Sequence, residues 1–498
     1  MRTEKDTMGE MRVPESALYG ASTQRAVLNF PISGRPVPVE IIRAYAVLKS
    51  ACAQTNKALG LLDNARAKAI VEAAARIESG DMPGGLMPHF PVDVFQTGSG
   101  TSTNMNVNEV IANLVCLANG APIGSAKDAD YLRGEGAFAA LKKQRGRDYA
   151  GVHPNDHVNM GQSSNDTFPT AMHVACAVAI KDRLLPEVAR LAKALEKKAR
   201  EFDKIVKIGR THLQDATPIR LGQEFSGFAA QMRQSERRLK SALAALSELP
   251  LGGTAVGTGI NTHEEFGSRV AAILAKRTGV PFREADNHFE AQHAKDAIVE
   301  AGAALKVVAV SLTKIANDIR LMGSGPRCGL GELALPAVQP GSSIMPGKVN
   351  PVICEAVMMV ACRVVGNDAA ITMGGLGGVG SLLDLNVAMP VMAEAALESI
   401  NITAGACAVL TDNAIEALRA DEKRCAELIE GSLAMCTSLV PVIGYDRSAA
   451  LAKEAYARGV TVRELAREQK LLPDKELDRL LDPTDMTKPG NAGAPGGG

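Results

Sequence analysis

HFEAQHAKDAIVEAGAALKVVAVSLTKIANDIRLM, residues 288–322, is the stretch that decides the fold. Its apolar residues recur at helical rather than strand spacing, and they occupy more than one face. Four further runs read the same way: 168–202, 221–249, 351–373 and 387–417. Helices so long and so apolar on several faces do not suit the surface of a monomer. They are expected to pack on one another and on other subunits, which makes the protein mainly α and argues for a bundle.

Four loops rich in hydroxyl and amide side chains lead into helices. The most informative is Gly341-Ser342-Ser343-Ile344-Met345-Pro346-Gly347-Lys348-Val349-Asn350-Pro351. Gly341, Pro346 and Gly347 bias it toward a mobile loop. Asn350 and Pro351 read as N-cap and first helical residue, which puts Lys348 beside a helix N-terminus. Free N–H groups, the positive end of the helix dipole and an ammonium together favour a carboxylate or phosphate. The others are Gln96-Thr97-Gly98-Ser99-Gly100-Thr101-Ser102-Thr103-Asn104, Ser163-Ser164-Asn165-Asp166, and Gly209-Arg210-Thr211-His212-Leu213-Gln214-Asp215-Ala216-Thr217-Pro218. In the last, Thr217 reads as a cap and Pro218 as the opening of a helix. Capping needs one such residue per helix, and these loops hold three to six.

With these motifs and His153-Pro154-Asn155-Asp156, the chain resembles the class II fumarases of the fumarase/aspartase superfamily, from Arg2 to about Met486. Gly347 and His212 favour that family over the aspartases, which typically have Ala and Gln there. The resemblance implies a homotetramer in which five central helices from each subunit build a twenty-helix core. It implies an N-terminal domain over 1–161, the helical bundle over 162–415 and a C-terminal domain over 416–498, whose Gly/Pro/Ala-rich tail from Lys488 is expected to be disordered. It also implies a cofactor-free, metal-independent lyase that interconverts fumarate and (S)-malate. Ser342 would remove the proton beside a carboxylate, His212 would handle the departing hydroxyl through a water, and Glu355 would pair with His212. Lys348 and Asn350 would hold the substrate carboxylate, with Ser99, Gly100, Thr101, Ser163, Ser164, Asn165, Thr211 and Ser343 completing the site. His153, Pro154, Asn155 and Asp156 would form a second anion site. Finally, the resemblance implies an active site shared by three subunits: the 97–104 and 163–165 loops from one, Thr211 and His212 from a second, and residues 342–350 from a third. Helix length supports sharing, because opposite ends of long bundle helices lie tens of ångströms apart at about 1.5 Å per residue.

The chemistry calls for such a set. Removing a proton next to a carboxylate creates a dianionic aci-carboxylate, whose charge must be met by fixed donors and a cation. A neutral serine needs activation by local positive charge, and a histidine with an ordinary pKa of about 6.5 suits proton transfer.

Two segments depart from the family pattern. An insertion lies between Asn119 and Gly151, with Lys142, Lys143, Arg145 and Arg147 adding basic charge, and the arginine usual before His-Pro-Asn-Asp is absent at Ala150, where Arg147 is the candidate substitute. Residues 374–386 are longer than the common form and place Asp384 where Glu is usual.

Composition narrows the alternatives. The 498 residues suggest about three domains, and 46% hydrophobic content is ample for a large core. The 55 basic and 55 acidic residues balance, which argues against a nucleic-acid partner. No run of eighteen apolar residues points to a membrane span. Met1-Arg2-Thr3-Glu4-Lys5-Asp6 lacks an apolar core for a signal peptide, and nine scattered cysteines fit a reducing, cytoplasmic setting. Cys354 and Cys362 read as packing residues. His153 and His157 have a helical ligand spacing, but Pro154 argues against helix, and His288 and His293 fall on different faces, so a metal site is not expected. The competing readings are an ammonia-lyase or hydratase for a related dicarboxylate such as L-aspartate, and an inactive helical homologue of structural function.

Overall fold

The computed structural model describes residues 1–489. All but the first two residues of the tail expected to be disordered lie outside the described residues. Two compact units are distinguished: one comprises Met1–Pro186, Arg237–Val307 and Cys362–Thr403, the other Glu187–Glu236, Val308–Ala361 and Ala404–Gly498. Each gathers three stretches of chain, whereas the domains expected from the sequence follow chain order.

The first unit opens with an antiparallel hairpin, Arg2–Asp6 against Gly9–Val13, so the mixed-charge N-terminus is a strand. Helices Val39–Ala58, Asn64–Ser79, Thr101–Asn119 and Ser164–Ala179 follow. The boundaries of Asn64–Ser79 have plain causes. Asp63 accepts from Arg66 N at its start, and Gly80 adopts φ 80° at its end, where a side chain would be strained. Ile41, Ile42, Tyr45, Leu48, Phe168 and Met172 are all essentially inaccessible, and Tyr45 meets Phe168 edge-on with centroids 6.2 Å apart. The insertion is folded too. Its short helices Ala129–Arg133 and Ala139–Arg145 are organised around fully buried Tyr131, which stacks edge-on with Phe138 and Tyr149. Lys142, Lys143, Arg145 and Arg147 stay exposed.

In the second unit, Val206–Thr211 and Gln214–Arg220 form an antiparallel ribbon. Helices Glu422–Gly431, Tyr445–Arg458, Val462–Glu468 and Asp474–Leu480, with the 3-10 segment Leu433–Leu439, build a separate small core from residues such as Ile429, Leu439, Leu451, Leu465 and Leu477.

The five long helices stand close to where periodicity places them. The first run is Ser164–Ala179, a π-helical turn Ile180–Leu184, and Leu185–Glu201. The others are Leu221–Ala245, Asp296–Met322, Val352–Gly375 and Met389–Leu410. The expected 288–322 helix is broken into His288–His293 and Asp296–Met322. Lys295 causes the break to hold: its buried ammonium donates to the carbonyls of Ala291, Gln292 and Ala294 at 2.7, 3.0 and 2.7 Å, closing the C-terminus of the shorter helix. Residues 389–415 are long and apolar enough to cross a membrane by length and composition, yet 61% of that window is buried inside the protein. It is a core helix, and it carries Glu394 and Glu398, paired with Arg35 and Arg363.

Large apolar side chains stay exposed on the long helices, among them Val310 at 59%, Met359 at 67% and Met373 at 51%. Cys354 is buried as expected, but Cys362 is exposed. Eight residues advance a helix by two turns and about 80°, enough to move the second thiol off the packed face.

Candidate active site

Two of the hydroxyl-rich loops meet in the first unit. Ser99 Oγ lies 2.9 Å from Thr101 Oγ1, which lies 2.7 Å from Ser164 Oγ. Three hydroxyls from two helix starts thus form one chain, with Ser99 buried and the others half-buried. Two glycines make this possible. A Cβ on Gly98 would sit 1.7 Å from the Val387 carbonyl oxygen, and one on Gly100, at φ 74°, would strike the Phe168 ring at 1.9 Å. Ser163 caps the Ser164–Ala179 helix in a capping box with Asp166, and Asn165 Nδ2 donates to Ala255 O at 2.8 Å. Protein hydroxyls that bond one another around a helix N-terminus are well placed to turn toward an incoming carboxylate.

The other two loops belong to the second unit. Pairing of Thr211 with Gln214 leaves His212 and Leu213 as a two-residue turn, with φ 57° and 62°. Such turns normally take Asn-Gly, and a left-handed backbone at His and Leu is strained. Both side chains are exposed. Thr217 and Pro218 do not cap and open a helix as expected; they lie within the second strand, and the helix begins at Leu221. A bulge accounts for this. The register shifts between Ile208 and Arg210, and Gly209 allows the Thr217 carbonyl to approach to where a Cβ would be 2.6 Å away. Pro218 is tolerated because a two-stranded ribbon has open edges. At the ribbon's base, Arg210 reaches both oxygens of fully buried Glu332 at 2.9 Å, and Lys207 reaches it at 3.4 Å.

The Ser342 loop closes on itself. Gly341 N donates to Lys348 O at 2.9 Å, and Asn350 Nδ2 donates to Gly341 O at 2.6 Å. Asn350 is therefore a latch across the loop's neck rather than the expected helix cap. Pro351, whose carbonyl takes the first helical bond from Glu355 N, stands one position outside Val352–Gly375. Within the loop, Ser342 Oγ accepts from the backbone N–H groups of Ile344 and Met345 at 3.2 and 3.0 Å. Ser342 is half-buried, whereas Ser343 and Lys348 are exposed. A cleft of about 840 Å³ is lined by Leu213, Arg320, Ser324, Lys348 and Asn350, among others. It brings the His212 turn to the base of the Ser342 loop. Glu355 is exposed in the first turn of its helix, and among the described residues the histidines within 4 Å of a carboxylate are His153 and His288, not His212.

Sequence relatives match nearly the whole chain. The Lyase family pattern matches residues 9–366, and the Fumarase C C-terminus pattern matches 435–488. A class II fumarate hydratase of Bradyrhizobium diazoefficiens is 49% identical over 489 residues, spanning 98% of this chain and 97% of its own; one from Corynebacterium glutamicum is 49% identical over 97% of this chain and 95% of its own. The chain belongs to the class II fumarase family. The solved class II fumarase of Schistosoma mansoni superposes with a TM-score of 0.89 at 35% identity, covering 98% of this chain and 99% of that one. A fumarate lyase:delta crystallin from Brucella melitensis, bound to cobalt, gives 0.87 at 41%, covering 98% and 100%.

In this class II fumarase the segment His153-Pro154-Asn155-Asp156 winds into a π-helical turn, Pro154–Val158. His153 Nδ1 accepts from the N–H groups of Asn155 and Asp156 at 3.3 and 3.1 Å, and His157 Nδ1 accepts from His153 N at 2.8 Å. Burial holds His157 down to about 4, helped by the Arg66 guanidinium, and burial also lowers His153, with Lys127 adding to the effect. The cations whose fields reach this turn are thus Arg66 and Lys127, whereas the candidate expected from the sequence is Arg147. Arg66 also donates to Gly151 O at 2.8 Å and Leu132 O at 3.3 Å, fastening the insertion. Contact order, not sequence neighbourhood, selects these two, so sequence alone carried little signal for them.

The second departure abuts the first loop. Asp384 is exposed beside Leu383, at φ 50°, in the turn of the small hairpin Ser381–Leu382 against Leu385–Asn386. The chain then passes directly to Val387 and Met389, whose N–H donates to Gly98 O at 3.1 Å.

Proposed function

We propose that this class II fumarase carries out the reversible hydration of fumarate to (S)-malate through the residues the four loops supply. The observation that carries the reading is the hydroxyl chain Ser99, Thr101 and Ser164, a neutral donor set at helix N-termini suited to a carboxylate. Lys348 and Asn350 hold the carboxylate beside the reacting carbon, and Ser342 takes the proton from that carbon. Two N–H groups already donate to Ser342 Oγ and favour its deprotonated form, so the hydroxyl proton is given up to solvent before turnover and the alkoxide becomes a hydroxyl again as it accepts the proton from carbon. The aci-carboxylate intermediate then carries two negative charges, which the Lys348 ammonium and the loop donors oppose. His212 acts on the hydroxyl through a water, protonating it as it leaves and deprotonating it in the reverse direction. The strained turn at His212 and Leu213 supports this role, since such backbone persists where the surrounding structure demands it.

The same reading makes the enzyme a cytoplasmic homotetramer with each site shared by three subunits, Glu355 of one subunit facing His212 of another. Exposed apolar side chains on the long helices support assembly. The test is direct: malate added to purified protein should produce absorbance at the fumarate band, and L-aspartate should not. Turnover of aspartate in place of malate would transfer the chain to the ammonia-lyases, and failure to turn over either would leave the helical scaffold without the activity.

A further inference from the structure

Two ionisable side chains lie buried in the elements that carry the hydroxyl chain, and the chemistry above uses neither. Lys49 is on the Val39–Ala58 helix and Asp166 in the first turn of Ser164–Ala179; both are fully buried. The Lys49 ammonium donates to Asn159 Oδ1 at 2.9 Å and to Gln162 Oε1 at 2.8 Å. That same Asn159 oxygen accepts from Asn104 Nδ2 at 3.1 Å and Asn108 Nδ2 at 3.2 Å. One oxygen anchored by a cation therefore joins the segment leading into Ser163 to the helix that begins with Thr101. Asp166 acts on the other side. Its Oδ1 accepts from Ser163 N at 2.9 Å, and its Oδ2 accepts from Gly252 N at 3.2 Å and Thr254 N at 2.9 Å. Between them, Thr167 Oγ1 donates to Ser163 O at 2.7 Å.

We infer that Lys49 and Asp166 are positioning residues of the dicarboxylate site, fixing the spacing of Ser99, Thr101 and Ser164 without touching substrate. This rests on reading those hydroxyls as carboxylate ligands. Hydroxyls from two separate helix starts hold a bonding distance of 2.7 Å only if the two starts are locked together. An ordinary cap fixes one start; here Lys49 grips Asn159, the side chain that joins the two starts, and Asp166 ties the Ser163–Ser164 start to the backbone of residues 252–254. Stability alone does not call for this, because a buried charge replaced by a well-packed apolar group is often no worse. Burial presses both groups toward neutrality, Lys49 down to about 8 and Asp166 up to about 7, a strain that apolar residues of the same volume would not carry. Charge-assisted bonds are shorter and more directional than neutral ones, which suits a part whose task is spacing.

Steady-state kinetics on the full-length enzyme test this. Wild-type turnover of fumarate is the reference arm: if it is absent, the reading of the site fails whatever the variants do. With an active wild type, Asp166→Asn keeps the shape but offers one acceptor to three N–H groups. It should raise KM for both fumarate and malate about tenfold or more and leave kcat within about threefold, because the loosened contacts serve ground and transition states alike. An unchanged KM, or a fall in kcat at constant KM, overturns the inference. Lys49→Met, apolar and of similar length, faces the same criterion should Asp166→Asn not assemble. Amide exchange on the wild type needs no variant at all: saturating succinate should slow exchange at 159–166 and 252–255 together, and protection confined to 99–101 would overturn the coupling.

Discussion

On the proposed mechanism single side chains carry the chemistry, and their position in loops makes the predictions clean. Ser342→Ala removes a loop hydroxyl whose partners are two neighbouring N–H groups, so turnover should fall by orders of magnitude while Tm stays within a degree or so. Near-normal turnover would take the serine out of the base role. His212→Asn should also cripple turnover, and on the proposed role, in which the imidazole moves a proton, the loss should depend on pH; a pH–rate profile of unchanged shape and height would count against it. Lys348→Met should raise KM and lower kcat together, because on the proposed mechanism the ammonium faces the carboxylate in both the ground state and the dianionic intermediate. A change in stability alone would make Lys348 structural. Most of these residues were legible in the sequence because hydroxyls, glycines and a lysine concentrated in four short loops exceed what capping requires. Lys49 and Asp166 were not. A lysine within the apolar run around Ala46 and Leu48 and an aspartate at a helix start have ordinary explanations, and only contacts between residues far apart in the chain reveal what they join.

At the level of elements, long helices were readable because many consecutive residues vote for one period, whereas short elements hang on one or two. The ribbon strand Gln214–Arg220 was read as a helix start because Thr217-Pro218 fits a cap signature, and nothing local announces the bulge at Gly209 that pairs those residues with the preceding strand. Asn350 was read as a cap for a similar reason, although its amide turns back to Gly341. The break at Lys295 escaped periodicity because the apolar pattern continues across it. The strained turn yields a prediction of its own. A left-handed Leu costs about 1–2 kcal/mol, and Gly gives back part of that through its extra freedom in the unfolded chain. Leu213→Gly should therefore hold or slightly raise Tm while lowering kcat, as the turn that presents His212 loosens. A fall of several degrees in thermal unfolding would show that the turn is not strained.

Over the whole molecule, the loops sort by unit: Thr101 and Ser164 in the first, His212 and Ser342 both in the second. Helix length gives no reason to separate His212 from Ser342, which the Leu213 and Lys348 cleft brings to one neighbourhood within a chain. Pairwise co-refolding of inactive variants separates the possibilities. Thr101→Ala with Ser342→Ala, Thr101→Ala with His212→Asn, and Ser342→Ala with His212→Asn should all recover activity, following the statistics of random assembly, if three subunits supply the three groups. Silence from the last mixture alone would place His212 and Ser342 of the same chain in one site. The apolar side chains left uncovered at Val310, Met359 and Met373 have a further consequence. On the proposed tetramer, a chain that hides them only by finding three copies of itself is stabilised by mass action, so its melting temperature should rise with protein concentration. Its output would then follow a steep power of the amount synthesised: at low expression, halving the number of chains would remove far more than half of the working sites.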